Sequence, residues 1–387
     1  ILSGGLNDVS LFIDGERFRN WQSISIERSL DSMDTFSVYA AFNRNDATQR
    51  RLFAPFKFRP ITVQVGGDAL FTGNAVKISP LLDWRESSVF LSGYARAGAL
   101  NDCTVPRGAS AETSFNGQGL DGIAEALCGY FGLAPKFVGN IDDTSTGYVW
   151  PVEEHDPLPF GAGVFAPQAP VSTPTAGNTG APFPDGTRIK PDQKVLSFLA
   201  TLAQQRGFVI GSDTDGNPIF RRPQVTARVA TLEEKKAPLV ELRPEFDPQS
   251  YYSELTAYKS ATTAGLGTSY TYRNPHLNDI VRPLVFRVSD TAEGDVQQAL
   301  LAEAGRMYAN MVSYTAVLSS WRDDAGNLWE PGAAIEVLAP GAMIYQPYPF
   351  VIRSVSFYKD EKTETATLNL IIPGSLSGSI PAVLPWD

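Results

Sequence analysis

Apolar and polar residues alternate with a period of two over residues 9–100, in short runs broken by turn residues. Runs 9–13, 21–26, 36–42, 61–65, 69–72, 74–78 and 88–92 each read as a strand. Asp14-Gly15 stands between the first two as a hairpin signal, and Gly66-Gly67-Asp68 marks another tight turn. In the second run Trp21, Ser23 and Ser25 share one face while Ile24 and Ile26 share the other. This spacing of short strands predicts a sandwich or barrel.

The period becomes helical in three places. Leu120, Ile123, Ala124, Leu127, Cys128 and Phe131 form a stripe that Gly132 ends. Val195, Phe198, Leu199, Leu202 and Ala203 form a second, with Pro191-Asp192 as a stop and candidate N-cap and Gly207 as a left-handed C-terminal stop. Phe208 to Ile210 then reads as a strand, residues 213–217 as a turn, and Ile219-Phe220 as its return. A helix backing so small a hairpin cannot bury its stripe alone and must dock on something larger. The third helix carries Val296, Leu300, Glu303, Ala304, Met307, Tyr308 and Met311 on one broad face to about residue 312, with Asp290 or Asp295 as its cap. Runs 316–318, 334–338, 348–353, 354–357 and 365–371 complete a second sheet, and residues 321–329 form a hairpin with a polar tip.

Residues 141–186 fit neither period. Eight prolines and many glycines refuse regular structure there, while Tyr148, Trp150, Phe160, Phe165 and Phe183 are richer in aromatics than a disordered linker. The segment reads as an insertion that wraps over a neighbouring surface. The expected organisation is a β-rich α+β fold. Residues 1–100 form a first β domain, and 101–224 a small α/β domain holding the 141–186 insertion. Residues 225–376 form a second β domain with one long helix, and 377–387 a tail.

Composition narrows the function. In 387 residues, 32 Lys+Arg against 42 Asp+Glu give a net charge of −10, without the basic surplus that phosphate binding requires. An acidic surface still suits a channel that DNA crosses without sticking, though solubility explains the charge equally well. No apolar run approaches the roughly 20 residues that span a bilayer, and no basic leader is visible, which suggests folding in the cytoplasm. Cys128 falls on a helix stripe as a core thiol; whether it pairs with Cys103 is open. His155 and His276 are too few for a multi-histidine metal site.

Candidate chemistry has bland readings. Gly117, Gly119 and Gly122 make a literal G-x-G-x-x-G, but the preceding residues are polar where a dinucleotide site needs a buried strand, so the motif reads as a helix entry. Asp213, Asp215 and Asn217 mimic a calcium loop, yet Gln224 stands where a bidentate Glu is required, so a hairpin turn is favoured. Asp323-Asp324 with Gly326-Asn327 reads the same way. Glu153-Glu154-His155-Asp156 falls in the irregular segment and reads as a solvated loop. Trp21, Trp321 and Trp329 are either core residues or anchors of a subunit interface.

Four stretches together resemble the baseplate hub family, the tail protein P of Mu-like contractile phages, related to the N-terminal part of VgrG-type spikes. The first holds Asp14, Gly15, Trp21, Ser23, Ile24, Ile26, Arg28, Ser29, Leu30, Asp31 and Ser32, and Phe71-Thr72-Gly73 follows. Pro191, Asp192, Arg206, Gly207, Asp215, Gly216, Asn217, Arg222 and Pro223 make the third. The fourth and most specific comprises Arg282, Pro283, Leu284, Val285, Trp321, Arg322, Gly326, Leu328, Trp329, Pro331, Gly332, Ile352, Ser354, Val355, Phe357, Thr367, Leu368 and Leu370.

The resemblance implies two tube-like β domains joined by a small α/β domain whose helix and hairpin set their angle. It implies a homotrimer that adapts a six-fold tail tube protein above to a three-fold central spike below, with wedge and tape-measure proteins as further contacts. DNA would pass through the lumen without specific binding. The expected location is the virion tail baseplate. No catalytic, cofactor-binding or metal-binding residue is expected, and no enzyme activity. The rival readings are a receptor- or glycan-binding β module and a tail-borne peptidoglycan hydrolase.

Overall fold

A computed structural model describes residues 7–83, 87–106, 114–138, 183, 186–205, 208–222, 228–258, 269–277, 279–287, 296–375 and 383–387. Strand β1 (Val9–Ile13) turns at Asp14-Gly15 into the short β2 (Glu16–Phe18). Asp14 and Gly15 both have positive φ, 55° and 78°, as a two-residue mirror-image turn demands. Such a turn closes on the residues beside it. The 9–13 run therefore pairs with β2 and not, as the sequence suggests, with the 21–26 run. That run is β3 (Trp21–Ser29), which pairs with β4 (Thr35–Ala41).

Helix α1 (Ala47–Leu52) is capped by Asp46, whose carboxylate accepts from Thr48 N at 2.8 Å. Then come β5 (Pro60–Val65), β6 (Asp68–Leu82) and β7 (Ser87–Ala95). The two runs expected at 69–72 and 74–78 are one 15-residue strand, β6. Gly73 does not turn the chain. A Cβ there would lie 2.2 Å from Tyr94 O and 2.6 Å from the Phe71 ring, so glycine permits a close approach inside the strand.

The α/β unit holds α2 (Ala99–Asp102), α3 (Leu120–Gly129), β8 (Lys136–Val138), α4 (Val195–Gln205), β9 (Val209–Ser212) and β10 (Pro218–Arg221). Leu120, Ile123, Leu127 and Cys128 of α3 share a buried core with Val195, Leu199 and Leu202 of α4, as their stripes require. Phe183 of the irregular 141–186 segment is buried in that same core; apart from it and Gly186, the segment lies outside the described residues. Pro191-Asp192 is not the helix cap. Gln193 N donates to Lys190 O, making a turn, and Phe198 N donates to Lys194 O, which puts the N-cap at Lys194. Gly207, Asp290 and Asp295 lie outside the described residues.

The C-terminal half contributes β11 (Arg228–Glu233), β12 (Leu239–Phe246), a three-stranded sheet of β13 (Glu254–Tyr258), β14 (Ser269–Arg273) and β15 (Pro283–Arg287), and helix α5 (Val296–Met311). It ends with β16 (Val312–Leu318), β17 (Ala334–Ala339), β18 (Ile344–Lys359) and β19 (Glu364–Ile371). Runs 348–353 and 354–357 are one 16-residue strand, β18, with an irregularity between Ile352 and Ser354 where a break is expected.

This is the expected β-rich α+β fold, but its two β regions are not merely linked. They form one 13-stranded sheet, ordered β12-β16-β19-β18-β3-β4-β7-β6-β5-β1-β2, with β17 and β11 alongside β18. β18 pairs antiparallel with β3, from Ser354 opposite Ser29 to Lys359 opposite Ile24. The order contains a repeat: β12-β16-β19-β18 and β3-β4-β7-β6 have the same connectivity. Each unit ends in its longest strand. Each such strand is irregular at mid-length, at Arg353 in β18 and at Val76 in β6. The first half of each pairs with a further strand, β17 or β5. The second half of β18 is taken by β3; among the described residues the second half of β6 pairs with β7 alone and leaves its other side open.

Candidate functional site

The seam between β18 and β3 is where the chain concentrates its buried charge. Arg28 and Asp34 are 3% and 1% exposed. Arg28 Nε donates to Asp34 Oδ2 at 3.4 Å, and Ser29 N donates to Asp34 Oδ1 at 3.0 Å. Burial pushes the Asp34 carboxyl up to about 6, against the pull of Arg28 and these hydrogen bonds. Asp34 N donates to Ser212 Oγ at 2.8 Å, and Ala95 N donates to Asp34 O, so one residue ties β3, β7 and β9 together. Arg353, at the irregularity of β18, donates to Asp31 through Nε and Nη2 at 3.1 and 2.8 Å.

The β9–β10 hairpin lies across this seam. Gly211 passes so close to the end of β3 that a Cβ would meet Ser29 O at 2.8 Å and Leu30 O at 3.0 Å. Val209 packs on Leu30, Val351 and Ile371, one residue from each side of the seam and its neighbour strand. Arg221 Nη1 donates to Pro331 O at 3.1 Å, and burial followed by the nearby Arg28 lowers the Arg221 pKa. At the hairpin tip Gly216 O accepts from Ala97 N at 2.8 Å, and a Cβ there would lie 2.3 Å from Thr72 O. The hairpin is thus a clamp over a direct strand-to-strand junction, and not the sole joint between two separate β regions.

The motif residues Arg28, Ser29, Leu30 and Asp31 therefore meet Pro331, Gly332 and Ile352 in space. Gly332 N donates to Ile352 O at 2.7 Å, and its own Cβ position faces Leu30 Cδ1 at 3.3 Å. Asp34, Ser212, Arg221 and Arg353 complete the seam, and no sequence spacing singles them out.

The other residues marked by the sequence fall as follows. Lys136 Nζ stands 2.5 Å from Asp213 Oδ2 and 3.1 Å from Asp215 Oδ2, where a cation would have to sit. Asp213 Oδ1 accepts from Asn217 N at 2.7 Å, and Gly216 has φ +80°, so the loop is a hairpin turn neutralised by a lysine. Gly117 has φ +70° and Gly119 is the N-cap of α3, a helix entry. Asp323 closes its turn by accepting from Ala325 N and Asn327 N. Trp321 and Trp329 are buried, and their indole N–H groups donate to Thr365 O at 2.8 Å and Ser320 O at 2.9 Å, so both belong to the core. Trp21 is half-buried. Cys103 is exposed, Cys128 is buried with its thiol pushed up to about 12 by burial, and neither is in a disulfide. Residues 153–156 lie outside the described residues.

The sheet that crosses the seam has two unlike faces. Ile24, Ile26, Phe36, Val38, Leu91, Val355, Phe357 and Leu368 turn into the core. Ser23, Ser25, Glu27, Ser37, Ser92, Ser356, Thr367 and Thr315 occupy the opposite face, where none is buried. A shallow groove of about 450 Å³ on that face runs between Glu27 and Lys77 over Ser25, Ser37 and Ser92. Among the described residues no cluster of His, Cys, Asp or Glu could hold a metal ion, and no helix is long and apolar enough to cross a membrane.

No family model matches the chain. The baseplate hub protein gp44 of Escherichia phage Mu is 22% identical over 342 residues, which cover 86% of this chain and 79% of that protein. The 43 kDa tail protein of prophage MuSo2 from Shewanella oneidensis has the same fold, with a TM-score of 0.73, 21% identity, and 95% and 98% of the two chains covered. The tail protein from Neisseria meningitidis MC58 follows at 0.71, with 17% identity and 96% and 98% covered. The chain resembles the Mu-like baseplate hub along most of its length.

Proposed function

We propose that this chain, similar in sequence to a Mu phage baseplate hub and in fold to phage tail proteins, is a structural hub of a contractile tail baseplate. In this reading it is a virion protein with no enzymatic step of its own. Three copies form a ring that meets a six-fold tail tube on one side and a three-fold spike on the other.

One observation carries this reading: the four-stranded unit occurs twice, edge to edge, in a single sheet whose open face is lined with small hydroxyl side chains. Three chains then present six like units, which resolves the mismatch between three-fold and six-fold neighbours by duplication inside the chain. From β12 to β6 each copy offers eight strands, so a closed ring has about 24, more than the 16–18 that already leave an aqueous channel. At about 4.8 Å per strand its circumference is on the order of 115 Å. Serines and threonines on the channel side give DNA a wet surface with few basic groups to hold it. The domains follow the sequence divisions near residues 100 and 225.

The test is mass measurement and single-particle imaging of the purified chain at concentrations expected to populate the ring. Trimeric rings with an open centre and six-fold pseudo-symmetry are expected. Monomers that gather on neither tube nor spike would sink the reading.

A further inference from the structure

Helix α1 leads into a loop, residues 53–59, that shows two phenylalanines to solvent. Phe56 is 92% exposed and Phe58 60%, and both hold a positive φ, 61° and 46°. A bulky side chain is strained in that conformation, and neither ring offsets the strain by burial. The base of the loop is nonetheless fixed. Phe53 is buried against Phe18 and Phe42, with ring centroids 5.4 and 6.0 Å away. Arg59 Nη1 donates to Asp14 Oδ2 at 2.7 Å, Arg59 Nη2 donates to Arg51 O at 3.2 Å, and Ala75 N donates to Arg59 O at 2.8 Å. The two rings thus stand on a preformed support, which lowers the ordering cost of docking.

The surroundings of the rings are basic. Residues 44–59 contain Arg44, Arg50, Arg51, Lys57 and Arg59 against Asp46 alone, in a chain of net charge −10. Asp14 and Glu16 engage Arg51 and Arg59. Arg44, Arg50 and Lys57 are exposed and form no ion pair among the described residues. Exposed aromatics beside arginines are the side chains that dominate binding at protein interfaces. We infer that this loop docks a protein partner whose surface is acidic and holds apolar pockets for Phe56 and Phe58. The inference rests on the hub reading above and adds a contact to it. Leu52 and Phe53 of the same segment pack into the core, so the loop belongs to the core side of the sheet and not to its open hydroxyl face.

The doubled unit supplies the specificity. α1 and its loop connect β4 to β5, and the equivalent connection in the other unit joins β16 to β17 across residues 319–333. There the large aromatics, Trp321 and Trp329, are buried, and Arg322 is outnumbered by Asp323, Asp324 and Glu330. An acidic partner is attracted to the first loop and repelled by its counterpart. Two units alike in strand order therefore differ in what they accept, and a ring of three chains holds three such sites rather than six. An anionic bilayer, by contrast, would meet the negative charge of the whole chain.

The experiment uses the full chain in assembled tails, with Phe58→benzoylphenylalanine as a photocross-linker and mass spectrometry of the linked peptides. A link to a partner segment rich in Asp and Glu is expected, and Ala325→benzoylphenylalanine on the counterpart loop is expected to give no link to that segment. Arg44→Glu, Arg50→Glu and Lys57→Glu together should cut the yield per chain about tenfold or more. Phe56→Gly with Phe58→Gly should abolish the partner's attachment without lowering the urea midpoint of the purified chain, since glycine accepts the positive φ. Tails that contain the chain but link from Phe58 only to other copies of it, or whose yield ignores the charge reversal, would overturn the docking site and leave the hub reading standing. Binding of the purified chain to phosphatidylglycerol vesicles or to single-stranded DNA, lost with the two glycines, would assign the loop to another class of partner and overturn it equally. Tails that lack the chain would overturn both readings.

Discussion

Asp34 accepts a hydrogen bond from Arg28 Nε at 3.4 Å, and neither side chain keeps more than 3% of its exposure. Buried pairs of this kind add little net stability over an apolar pair, but losing one partner is costly because the other charge stays buried. Here the pair sits under the hairpin clamp, so its charge state reports on the junction of β3 with β18.

The first prediction is a pH dependence. An aspartate titrates near 3.9 in an unfolded chain, and burial raises Asp34 to about 6 in the fold, so the folded protein binds this proton more tightly. The resulting stabilisation is complete below about pH 4 and is lost as the pH rises through about 6. Over that window the carboxyl should remove on the order of 3 kcal/mol, and Asp34→Asn should abolish that component. Urea midpoints of both proteins at about pH 4 and pH 7 check this; identical pH slopes would count against it.

Gly211→Ala should destabilise the chain by about 1–3 kcal/mol, because its methyl group would press on the backbone oxygens of Ser29 and Leu30, at and just past the end of β3, which cannot step aside. Gly129→Ala in α3 is the opposite case. Its Cβ meets nothing within 4 Å, and removing a helical glycine should stabilise by up to about 1 kcal/mol. Chemical denaturation of the two variants side by side tests the sign of both effects.

Trp329→Ala should cost about 3–5 kcal/mol of folding stability in the isolated chain, as removal of a fully buried indole does. A variant that folds normally but fails to assemble would instead return Trp329 to the role of interface anchor.

Calcium should leave the melting temperature unchanged at any concentration, and so should a chelator. Lys136 already supplies the positive charge between Asp213 and Asp215. A rise in melting temperature with calcium, as binding to the folded state demands, would refute that assignment.

Period-two and helical patterning made most strands of residues 9–100 and those from 316 onward legible, with the stripes of α3 and α4, because each element buries one face; β11 to β15 were not read from it. Trp321 and Trp329 stood out by type, though only their hydrogen bonds to Thr365 and Ser320 decide that they are core. What patterning could not reveal was pairing between distant strands. β3 alternates in the same way whether its partner is β1 or β18. The doubled unit was invisible for the same reason: β6 and β18 share length and pairing, not residues. Asp34 and Arg221 carry no motif, and their significance comes from what covers them.

The closure of β18 onto β3 also sets an order of events during synthesis. Asp31 and its partner Arg353 are 322 residues apart along the chain. At typical ribosomal rates, β3 emerges on the order of 20–60 s before the strand that completes it. Contacts of such long range form late and slowly. Until then β3 is an uncovered edge, open to pairing with the wrong neighbour. Glu27 and Arg28, adjacent on that strand, keep a charge on each of its faces throughout the wait, and the same Arg28 is buried once the seam has closed.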